Sequence, residues 1–425
     1  MNNKLKIGFV GLSHLGLTTS IAVSSFKSIS ICAFDENKEF INNLNIKKIS
    51  LKEPHINSYL KKNFNRINFT YKNKDLRNCD IVYISQDVST NYKNKADLAS
   101  LKKIINRTIN LINNQTILVI HSQIQLNFMK SIKWPKSRLF YHVETLVFGN
   151  AIKRVIKPER IIIGSNNINN KLPHKLNKYL SLFNSKIIIM NYNSAELTKI
   201  SINLFLMSSI STTNQLVKLC EKSDADWSKI QEAIILDKRI GKYSYTNPGL
   251  GISGGNLERD LKSIISLNAL YNINNNFLNS ISSLSKERNR WVLNTLYKLN
   301  YRDVKNLKIG MLGVCYKANT NSIKNSPAME ILKKFKKSLI IFYDPLLSDN
   351  IVIKKHLRVN NITEVFSNIN LLIISNDWGI YSKINISDLQ KIKDKLVIDP
   401  FNVLHMYNLD KFKIKHIKLG STIYE

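Results

Sequence analysis

The stretch LKIGFVGLSHLG, residues 5–16, decides the fold predicted for the start of the chain. Its apolar half, Lys6 to Val10, is typical of a buried parallel strand, and Gly11 opens a turn into a helix. The turn follows the pattern G-x-G-x-x-G, in which the first glycine makes the tight turn, the second admits a pyrophosphate and the third lets helix and strand pack closely. Gly11 and Gly16 hold the first and third places, whereas Ser13 stands in the second. The stretch therefore predicts a strand–turn–helix unit that binds a dinucleotide.

An acidic residue supports the dinucleotide prediction. Asp35 ends the next strand-like run, 24 positions after Gly11, close to the spacing at which a carboxylate holds the adenosine ribose hydroxyls. A carboxylate there favours NAD over NADP, so we expect NAD as the cofactor, bound by Gly11, Ser13, Leu15, Gly16 and Asp35. The Ser13 side chain lies at the closest approach to the pyrophosphate and is expected to weaken or shift binding. A turn without any ligand remains the alternative.

Strand-like apolar runs alternate with helical stretches along the first third of the chain. The runs predicted as buried parallel strands are Lys6 to Val10, Ser30 to Phe34, Ile81 to Ser85, Thr116 to His121 and Arg160 to Gly164. Helical periodicity dominates from about Asn193 to Leu299. Strand-like runs then resume at Leu307 to Val314, Leu339 to Tyr343, Leu371 to Ser375 and Leu396 to Ile398. We therefore predict an α/β protein with two Rossmann-like doubly wound domains, 1–192 and 301–425, joined by a helical middle domain, 193–300.

Composition narrows the class of protein. The chain has 425 residues and a formal net charge of +33, and its cysteines, Cys32, Cys79, Cys220 and Cys315, show no C-x-x-C spacing. The scattered positions of these cysteines argue against a zinc site or a disulfide framework. The excess of lysine is spread along the chain rather than gathered in a patch, so no nucleic-acid partner is expected, although anionic ligands would be attracted. Neither a membrane span nor a signal-peptide pattern is evident, so we expect a cytoplasmic protein without a membrane partner.

One predicted helix, Ser194 to Leu216, carries apolar side chains at many angles, which is typical of a largely buried helix. Glu196, Lys199, Asn203 and Asn214 nevertheless fall on one narrow face at about 100° per residue. A lysine and two amides along one line suit an oxyanion or a sugar-hydroxyl site. The alternative is that this polar stripe is simply the side of the helix that faces solvent.

A glycine-rich loop, Asn247 to Gly255, interrupts the helical region. Four glycines in seven residues, among them Gly251 and Gly254, let the loop wrap closely on a ligand. Asp260 follows and is predicted to open a helix. A carboxylate at that place can also act as an N-cap, which is the structural alternative to a role at a ligand.

Together these segments resemble the UDP-glucose/GDP-mannose dehydrogenase family along nearly the full chain. Each match is short, but their order and spacing together are specific. The family's helix motif A-E-x-x-K-x-x-x-N is matched by Ala195, Glu196, Lys199 and Asn203, and its loop P-G-x-G-x-G-G-x-C-x-P-K-D starts at Pro248. The other matches are P-E-F-L-R-E-G at 143–149, P-D-R-I-x-x-G at 158–164, R-I-G at 239–241 and G-x-x-F-K-x-x-T…S-P-A at 313–328.

The resemblance implies an enzyme that oxidises C6 of a nucleotide-linked sugar from alcohol to acid. Two NAD are used, and a cysteine holds the intermediates as a thiohemiacetal and then a thioester. By the same resemblance, Lys199 and Asn203 stabilise the developing oxyanion, and Asp260 positions or deprotonates a water or the hydroxyl. Glu144 is implied to assist hydrolysis of the thioester.

The resemblance also implies the binding partners. The C-terminal domain would bind the nucleotide sugar, UDP- or GDP-linked, and the middle domain would form a homodimer. Arg239 would reach the nucleotide sugar, typically across the dimer interface. Gly251 and Gly254 would lie at the substrate and Lys317 at the cofactor.

The sequence departs from the family at the reactive position. Asn256 stands where the family has its catalytic cysteine, four positions before Asp260. Because an amide is not a nucleophile at neutral pH, Asn256 cannot form the covalent intermediate. Cys315, in the matched C-terminal motif, is either a substitute thiol or a small buried apolar residue. The family's P-K-D is Glu258-Arg259-Asp260 here.

Two functions from different classes follow. The first is an NAD-dependent nucleotide-sugar oxidoreductase of surface-polysaccharide synthesis, either complete or limited to one hydride transfer. A single transfer is feasible because oxidation of an alcohol to an aldehyde needs a base and oxyanion stabilisation but no thiol. The second is a non-catalytic protein that binds a nucleotide sugar or NAD, which Ser13 and Asn256 favour. Nucleic-acid binding is the third alternative.

Overall fold

The structure is a computed structural model that describes residues 4–88, 96–169, 171–301 and 306–421. The chain divides into two compact units, 1–202 and 203–425. Each unit is organised around one sheet, and each is described below by itself.

The first unit contains an eight-stranded sheet in the order β3-β2-β1-β4-β5-β6-β7-β8. Its strands are β1 (Leu5–Val10), β2 (Ile29–Phe34), β3 (Ile67–Thr70), β4 (Ile81–Ile84), β5 (Ile117–Ile120), β6 (Leu139–His142), β7 (Ile161–Ser165) and β8 (Ile187–Asn191). Its helices are α1 (His14–Val23), α2 (Lys38–Asn45), α3 (Ile56–Asn63), α4 (Leu98–Leu111), α5 (Ala151–Ile156) and α6 (His174–Leu180). The strand order reverses beside β1, and ligands of doubly wound sheets bind at the carboxyl ends of the strands at such a point.

The core strands form because their sequences are continuous apolar runs. In β1, β4 and β5 nearly every residue is buried on both faces, as expected for parallel strands covered by helices. Ile7, Phe9 and Tyr83 lose almost all their solvent exposure. The positions of β1, β2, β4 and β5 agree with the sequence prediction.

The strand β7 differs from the prediction in its direction. It runs antiparallel to β6, with Tyr141 opposite Gly164, and parallel to β8. A buried strand has the same apolar pattern in either direction, so the sequence run around Ile161 carried no information on its orientation. The four-residue strands β3 and β6 were not predicted because so short a run is not distinct from a loop.

The helical region starts with α7 (Tyr192–Cys220), which begins in the first unit and ends in the second. It continues with α8 (Trp227–Leu236), α9 (Asn256–Leu270), α10 (Asn276–Asn289) and α11 (Trp291–Lys298). The prediction that α7 is largely buried is wrong for one face of the helix. Phe205 is 78% exposed and Leu219 is 64% exposed, so the apolar residues around α7 do not all enter a core of this chain.

The second unit ends in a six-stranded, all-parallel sheet in the order β11-β10-β9-β12-β13-β14. Its elements are β9 (Lys308–Leu312), α12 (Pro327–Lys334), β10 (Leu339–Tyr343), β11 (Leu357–Arg358), β12 (Leu371–Ile374), α13 (Ile386–Gln390), β13 (Leu396–Ile398) and β14 (Lys415–Ile417). The order again reverses, here between β9 and β12. The predicted fold class, two doubly wound α/β parts joined by a helical region, is confirmed.

Two further observations concern the described ranges only. None of their helices has the length and apolarity that crossing a bilayer requires. No cluster of three or more histidine, cysteine, aspartate or glutamate side chains is arranged there to hold a metal ion.

The turn after β1 yields a stability prediction. A Cβ at Gly16 would lie 1.9 Å from the carbonyl oxygen of Gly11, so Gly16→Ala forces α1 away from β1. We expect the free energy of unfolding of the first unit to fall by about 1–3 kcal/mol, measured by urea denaturation. Gly379→Ala is the matched control, because no heavy atom lies within 4 Å of its added Cβ. Equal stability of the two variants would contradict the close packing.

Candidate functional site

The turn between β1 and α1 requires glycine at two positions. Gly11 adopts φ +84°, and a Cβ on it would lie 2.6 Å from Oε1 of Gln86. Gly16 packs against the carbonyl oxygen of Gly11, as described above. The two outer glycines of the pattern are therefore required by the backbone itself, and the turn has the form that brings peptide N–H groups towards a bound phosphate.

Ser13, at the middle position of the pattern, directs its side chain to the end of β4. Its Oγ donates a hydrogen bond to the Ser85 carbonyl oxygen at 3.3 Å and accepts one from the Asp87 N–H at 2.7 Å. The Leu15 N–H donates to Oδ2 of Asp87 at 3.4 Å. Asp87 thus ties the turn to the chain after β4, which explains how the turn accommodates a side chain at this position.

Asp35 holds the other side of the same turn. Its Oδ2 accepts from the Leu12 N–H and its Oδ1 from the Asn37 N–H, both at 3.0 Å. A cavity of about 130 Å³ opens beside it, lined by Gly11, Asp35, Glu36, Gln86 and Arg107 among others. Two close-packed glycines, a carboxylate after β2 and a cavity at the switch point fit the adenosine half of a dinucleotide.

A buried ion pair lies after the end of β6 in the first unit. Nζ of Lys199 on α7 is 3.2 Å from Oε2 of Glu144, and the two side chains are only 12% and 14% exposed. The other oxygen of Glu144 accepts a hydrogen bond from the Leu146 N–H, which fixes the carboxylate. The pair brings together two of the predicted catalytic residues.

Glu196, one turn before Lys199 on α7, has a structural role. Its carboxylate is fully buried and accepts from the backbone N–H groups of Asn127 and Met129, both at 2.7 Å. Burial raises the pKa of Glu196 above its usual value, although these hydrogen bonds act in the opposite direction. Glu196 therefore fastens the segment after β5 to α7.

The second unit holds another pair of predicted residues. Nδ2 of Asn203 donates to Oδ2 of Asp260 at 2.5 Å, and Nε of Arg259 lies 3.3 Å from the other carboxylate oxygen. All three residues are at most 6% exposed. Asn203, Asn214 and Glu196 are buried, so the interpretation of the polar stripe as a solvent-facing side is wrong.

The start of α9 also differs from the prediction. The helix begins at Asn256 rather than Asp260, which lies in its second turn, so the capping alternative for Asp260 is wrong. No proline interrupts residues 256–260, and the helix can extend back to Asn256. Asn256 is an exposed first helical residue.

The glycine-rich loop before α9 is closely packed. Gly251 (φ +78°) and Gly254 (φ +80°) both adopt the left-handed conformation. A Cβ at Gly251 would lie 2.6 Å from the Ser285 carbonyl oxygen, and one at Gly254 would lie 2.8 Å from the Tyr316 ring. These two glycines are thus fixed by packing within the second unit, independently of any ligand.

The loop contains no cysteine, and the four cysteines of the chain are buried elsewhere. Cys315 lies after β9, where its backbone N–H donates to Oδ2 of Asp344 at 2.9 Å. Burial, together with the Asp344 charge, raises the pKa of the Cys315 thiol well above its usual value. Cys315 therefore behaves as a small buried residue rather than as a nucleophile.

Two further predicted binding residues are Arg239 and Lys317. Arg239 has a side chain that is 90% exposed, and in the described part of the chain its hydrogen bonds go to Asp237, at 2.6 Å for the closest pair of atoms. Nζ of Lys317 lies 5.8 Å from the centre of the Tyr316 ring, in the second unit.

Sequence reasoning missed two histidines at the ends of β5 and β6, of which His121 is buried and His142 is half-buried. The rings of His121 and His142 are 4.9 Å apart, and the Tyr83 hydroxyl is 3.4 Å from Nδ1 of His142. Burial, assisted by the charge of Lys199, lowers the pKa of His121 to about 3, so this imidazole is neutral. Polar residues directly after two apolar runs were the signal that could have found them.

Sequence reasoning also missed Glu53 and its partner His14. Glu53 lies between α2 and α3 with a side chain only 1% exposed, 3.1 Å from Nε2 of His14. A single glutamate in a polar segment gives no sequence signal of burial, since its partners come from distant parts of the chain.

Three segments of the chain match the domains of one family of known proteins. Residues 5–183 match the NAD binding domain of the UDP-glucose/GDP-mannose dehydrogenase family, 193–287 its central domain and 310–406 its UDP binding domain. The UDP-glucose 6-dehydrogenase of Rickettsia bellii (strain RML369-C) is 27% identical, over 99% of this chain and 100% of its own. UDP-glucose 6-dehydrogenase TuaD of Bacillus subtilis (strain 168) is 24% identical, over 99% of this chain and 92% of its own.

Solved structures agree in fold. A UDP-glucose dehydrogenase from Pyrobaculum islandicum superposes with a TM-score of 0.84 at 18% identity, covering 98% of both chains. The UDP-D-ManNAc dehydrogenase from Pyrococcus horikoshii gives 0.82 at 19% identity, covering 98% of this chain and 99% of its own. The NAD-binding match identifies NAD as the cofactor, and the chain belongs to the UDP-glucose/GDP-mannose dehydrogenase family.

Proposed function

We propose that this protein is an NAD-dependent oxidoreductase that oxidises the C6 alcohol of a nucleotide sugar and stops at the aldehyde after one hydride transfer. The observation that carries the proposal is the buried Lys199–Glu144 ion pair, which lies in the same unit as the dinucleotide turn. It provides a fixed cation for alcohol oxidation, while the loop before α9 provides no thiol for the second oxidation.

The residues proposed to hold the cofactor are Gly11, Ser13, Leu15, Gly16 and Asp35. The glycines allow close approach of the backbone, and Asp35 accepts the hydroxyls of the adenosine ribose. NAD, when bound, accepts the hydride from the sugar. Lys317 is proposed as a further cofactor contact from the C-terminal part of the chain.

Lys199 is proposed to stabilise the negative charge that develops on the sugar oxygen. Its pairing with Glu144 holds the ammonium in place before reaction, and a preorganised charge in a buried site costs little reorganisation. Asp260 is proposed to accept the hydroxyl proton. Asn203 and Arg259 hold its carboxylate in place, since one oxygen accepts from Nδ2 of Asn203 and the other lies 3.3 Å from Nε of Arg259.

Asn256 is proposed to occupy the position of the family's nucleophile. An amide does not add to an aldehyde as a thiolate does, so the covalent thiohemiacetal and thioester do not form. Hydrolysis assisted by Glu144 then has no thioester to act on. The proposed product is therefore the 6-aldehyde, released into the cytoplasm for surface-polysaccharide synthesis.

We propose that the protein acts as a homodimer through the helical region. Phe205 and Leu219 of α7 and Phe277 of α10 are 60–78% exposed. An apolar groove of about 240 Å³ lies beside them in the second unit, between α7 and α10. Exposed apolar area of this kind is typical of an interface. Arg239, exposed and paired with Asp237 in this structure, is proposed to reach the nucleotide sugar of the partner subunit. We propose domain boundaries at 192 and 300, so that the helical region between them forms the dimer interface.

The second candidate is a non-catalytic protein that binds NAD or a nucleotide sugar. Two observations favour it: Asn256 offers no nucleophile, and the Leu15 N–H at the dinucleotide turn is already bonded to Asp87. Under this reading, ligands would raise the melting temperature without any turnover.

The first experiment measures stoichiometry. UDP-linked and GDP-linked sugars are incubated to completion with NAD, NADH is followed by absorbance, and hydroxylamine traps the product for mass analysis. We expect one NADH per sugar and the mass of an aldehyde oxime. Two NADH per sugar would contradict the proposal, and thermal stabilisation by ligands without NADH would establish the non-catalytic candidate instead.

A complementation experiment tests Asp260 and the dimer together. Arg239→Ala and Asp260→Asn are each expected to be nearly inactive. When the two are denatured, mixed equally and refolded, half of the dimers are mixed, and each mixed dimer has one site with both residues intact if Arg239 acts across the interface. About a quarter of wild-type activity is then expected. Recovery of no activity, with both variants dimeric by light scattering, would refute the action of Arg239 on the partner subunit.

A further inference from the structure

We propose that Glu53 and His14 are positioning residues that couple the dinucleotide turn to the loop carrying Glu144. The inference rests on the proposed function, in which Glu144 holds the Lys199 ammonium, and extends it to Glu53 and His14. Its basis is the buried Glu53 carboxylate, which accepts hydrogen bonds both from His14 at the dinucleotide turn and from backbone N–H groups at the end of the loop that carries Glu144.

Glu53 is committed to three donors from two separate segments. Its Oε2 accepts from Nε2 of His14 at 3.1 Å and from the Gly149 N–H at 3.0 Å, and its Oε1 accepts from the Ala151 N–H at 2.8 Å. Burial alone would raise the pKa of Glu53, but the hydrogen bonds from His14, Ala151 and Gly149 lower it below the usual value. The carboxylate is therefore ionised and fully bonded.

His14 contacts the same loop a second time. It is the first residue of α1, directly after Ser13, and thus belongs to the turn proposed to hold the pyrophosphate. Its ring packs against the Phe148 ring with the centroids 4.3 Å apart. The turn and the end of the 143–150 loop are joined by a hydrogen bond through Glu53 and by direct ring contact.

The other end of the loop carries Glu144. Nε of Arg154, on α5, donates to the Thr145 carbonyl oxygen at 3.0 Å, so α5 holds the residue next to Glu144 as well as the end of the loop. Glu144 in turn pairs with Lys199. A continuous set of contacts therefore runs from His14 through Glu53 and α5 to the Lys199–Glu144 pair, buried at Glu53 and half-buried at the other side chains.

The physical consequence is coupling between cofactor and loop. A pyrophosphate bound at the turn places negative charge beside His14 and orders the first turn of α1. The ordered His14 holds Glu53, and Glu53 holds the amides that start α5. Cofactor binding then restricts the loop and fixes Glu144 beside Lys199. Linkage requires that the restricted loop in turn strengthens NAD binding, and couplings of this kind typically change affinity between about 5- and 150-fold.

The test measures hydrogen–deuterium exchange of peptides covering residues 143–156 with and without NAD. In the wild type we expect NAD to slow exchange there. In Glu53→Gln the slowing is expected to disappear, and kcat to fall by at least about 5-fold. A merely structural role would instead raise exchange equally with and without NAD. Glu39→Gln, an exposed glutamate of α2, is the matched control and keeps the wild-type response.

A second variant covers the case in which Glu53→Gln does not fold. His14→Phe retains a ring against Phe148 and removes only the hydrogen bond to Glu53, so it is expected to lose the NAD response while the melting temperature changes little. A full response in His14→Phe or Glu53→Gln, or no response in NAD-saturated wild type, would overturn the inference. A wild-type response that is lost in both variants, with no turnover of any sugar, would support the coupling and count against the proposed function alone.

Discussion

The structure depends on the burial of a polar stripe along one helix. Glu196, Asn203 and Asn214 of α7 are all at most 7% exposed, and a buried polar group without a partner costs about 1–3 kcal/mol. Each is satisfied by a different segment. Glu196 holds the backbone after β5, Asn203 bonds to Asp260, and Oδ1 of Asn214 accepts from the Gly249 N–H at 3.1 Å. The need to satisfy the stripe thus holds three segments in place: the backbone after β5, the start of α9 with Asp260, and the glycine-rich loop at Gly249.

We propose that this constraint lets the residue at the position of the family's cysteine differ while the family fold persists. The packed parts of the second unit's site are Gly251, Gly254 and the Asn203–Asp260–Arg259 group, and all of them are buried or conformationally required. Asn256 is exposed at the first position of α9, so its side chain contributes little to packing. A substitution there changes the chemistry without a large cost in stability.

The features that could be predicted from the sequence are those determined by hydrophobic periodicity or by the geometry of a single turn. The buried runs around β1, β2, β4 and β5 were found, and the glycines at 11 and 16 follow from a turn whose backbone requires them. The polar stripe on α7 was found by its angular spacing, although spacing alone left open whether the stripe faces solvent or the interior. That is decided by partners such as Asp260, which lies 57 positions from Asn203 and pairs with it only after folding.

The remaining features depend on contacts between distant segments. The orientation of β7 and the exposure of Phe205 have no local signal, because an apolar residue is equally consistent with either strand direction and with a core or an interface. Glu53 is the clearest case: its three donors lie 39 to 98 positions away. The proposed departure in function, in contrast, rests on the sequence alone, since residues 247–256 contain no cysteine.

The most direct test of the central claim returns the nucleophile to its proposed position. Asn256→Cys is compared with Asn256→Ser, a matched variant of similar size without a thiol, in the presence of NAD and a nucleotide sugar that the wild type turns over. If oxidation stops at the aldehyde because Asn256 replaces the nucleophile, mass spectrometry of quenched Asn256→Cys will show a sugar adduct on that cysteine, and its NADH yield per sugar will exceed that of Asn256→Ser and of the wild type. No adduct and an unchanged yield in a folded, NAD-binding Asn256→Cys would contradict the account.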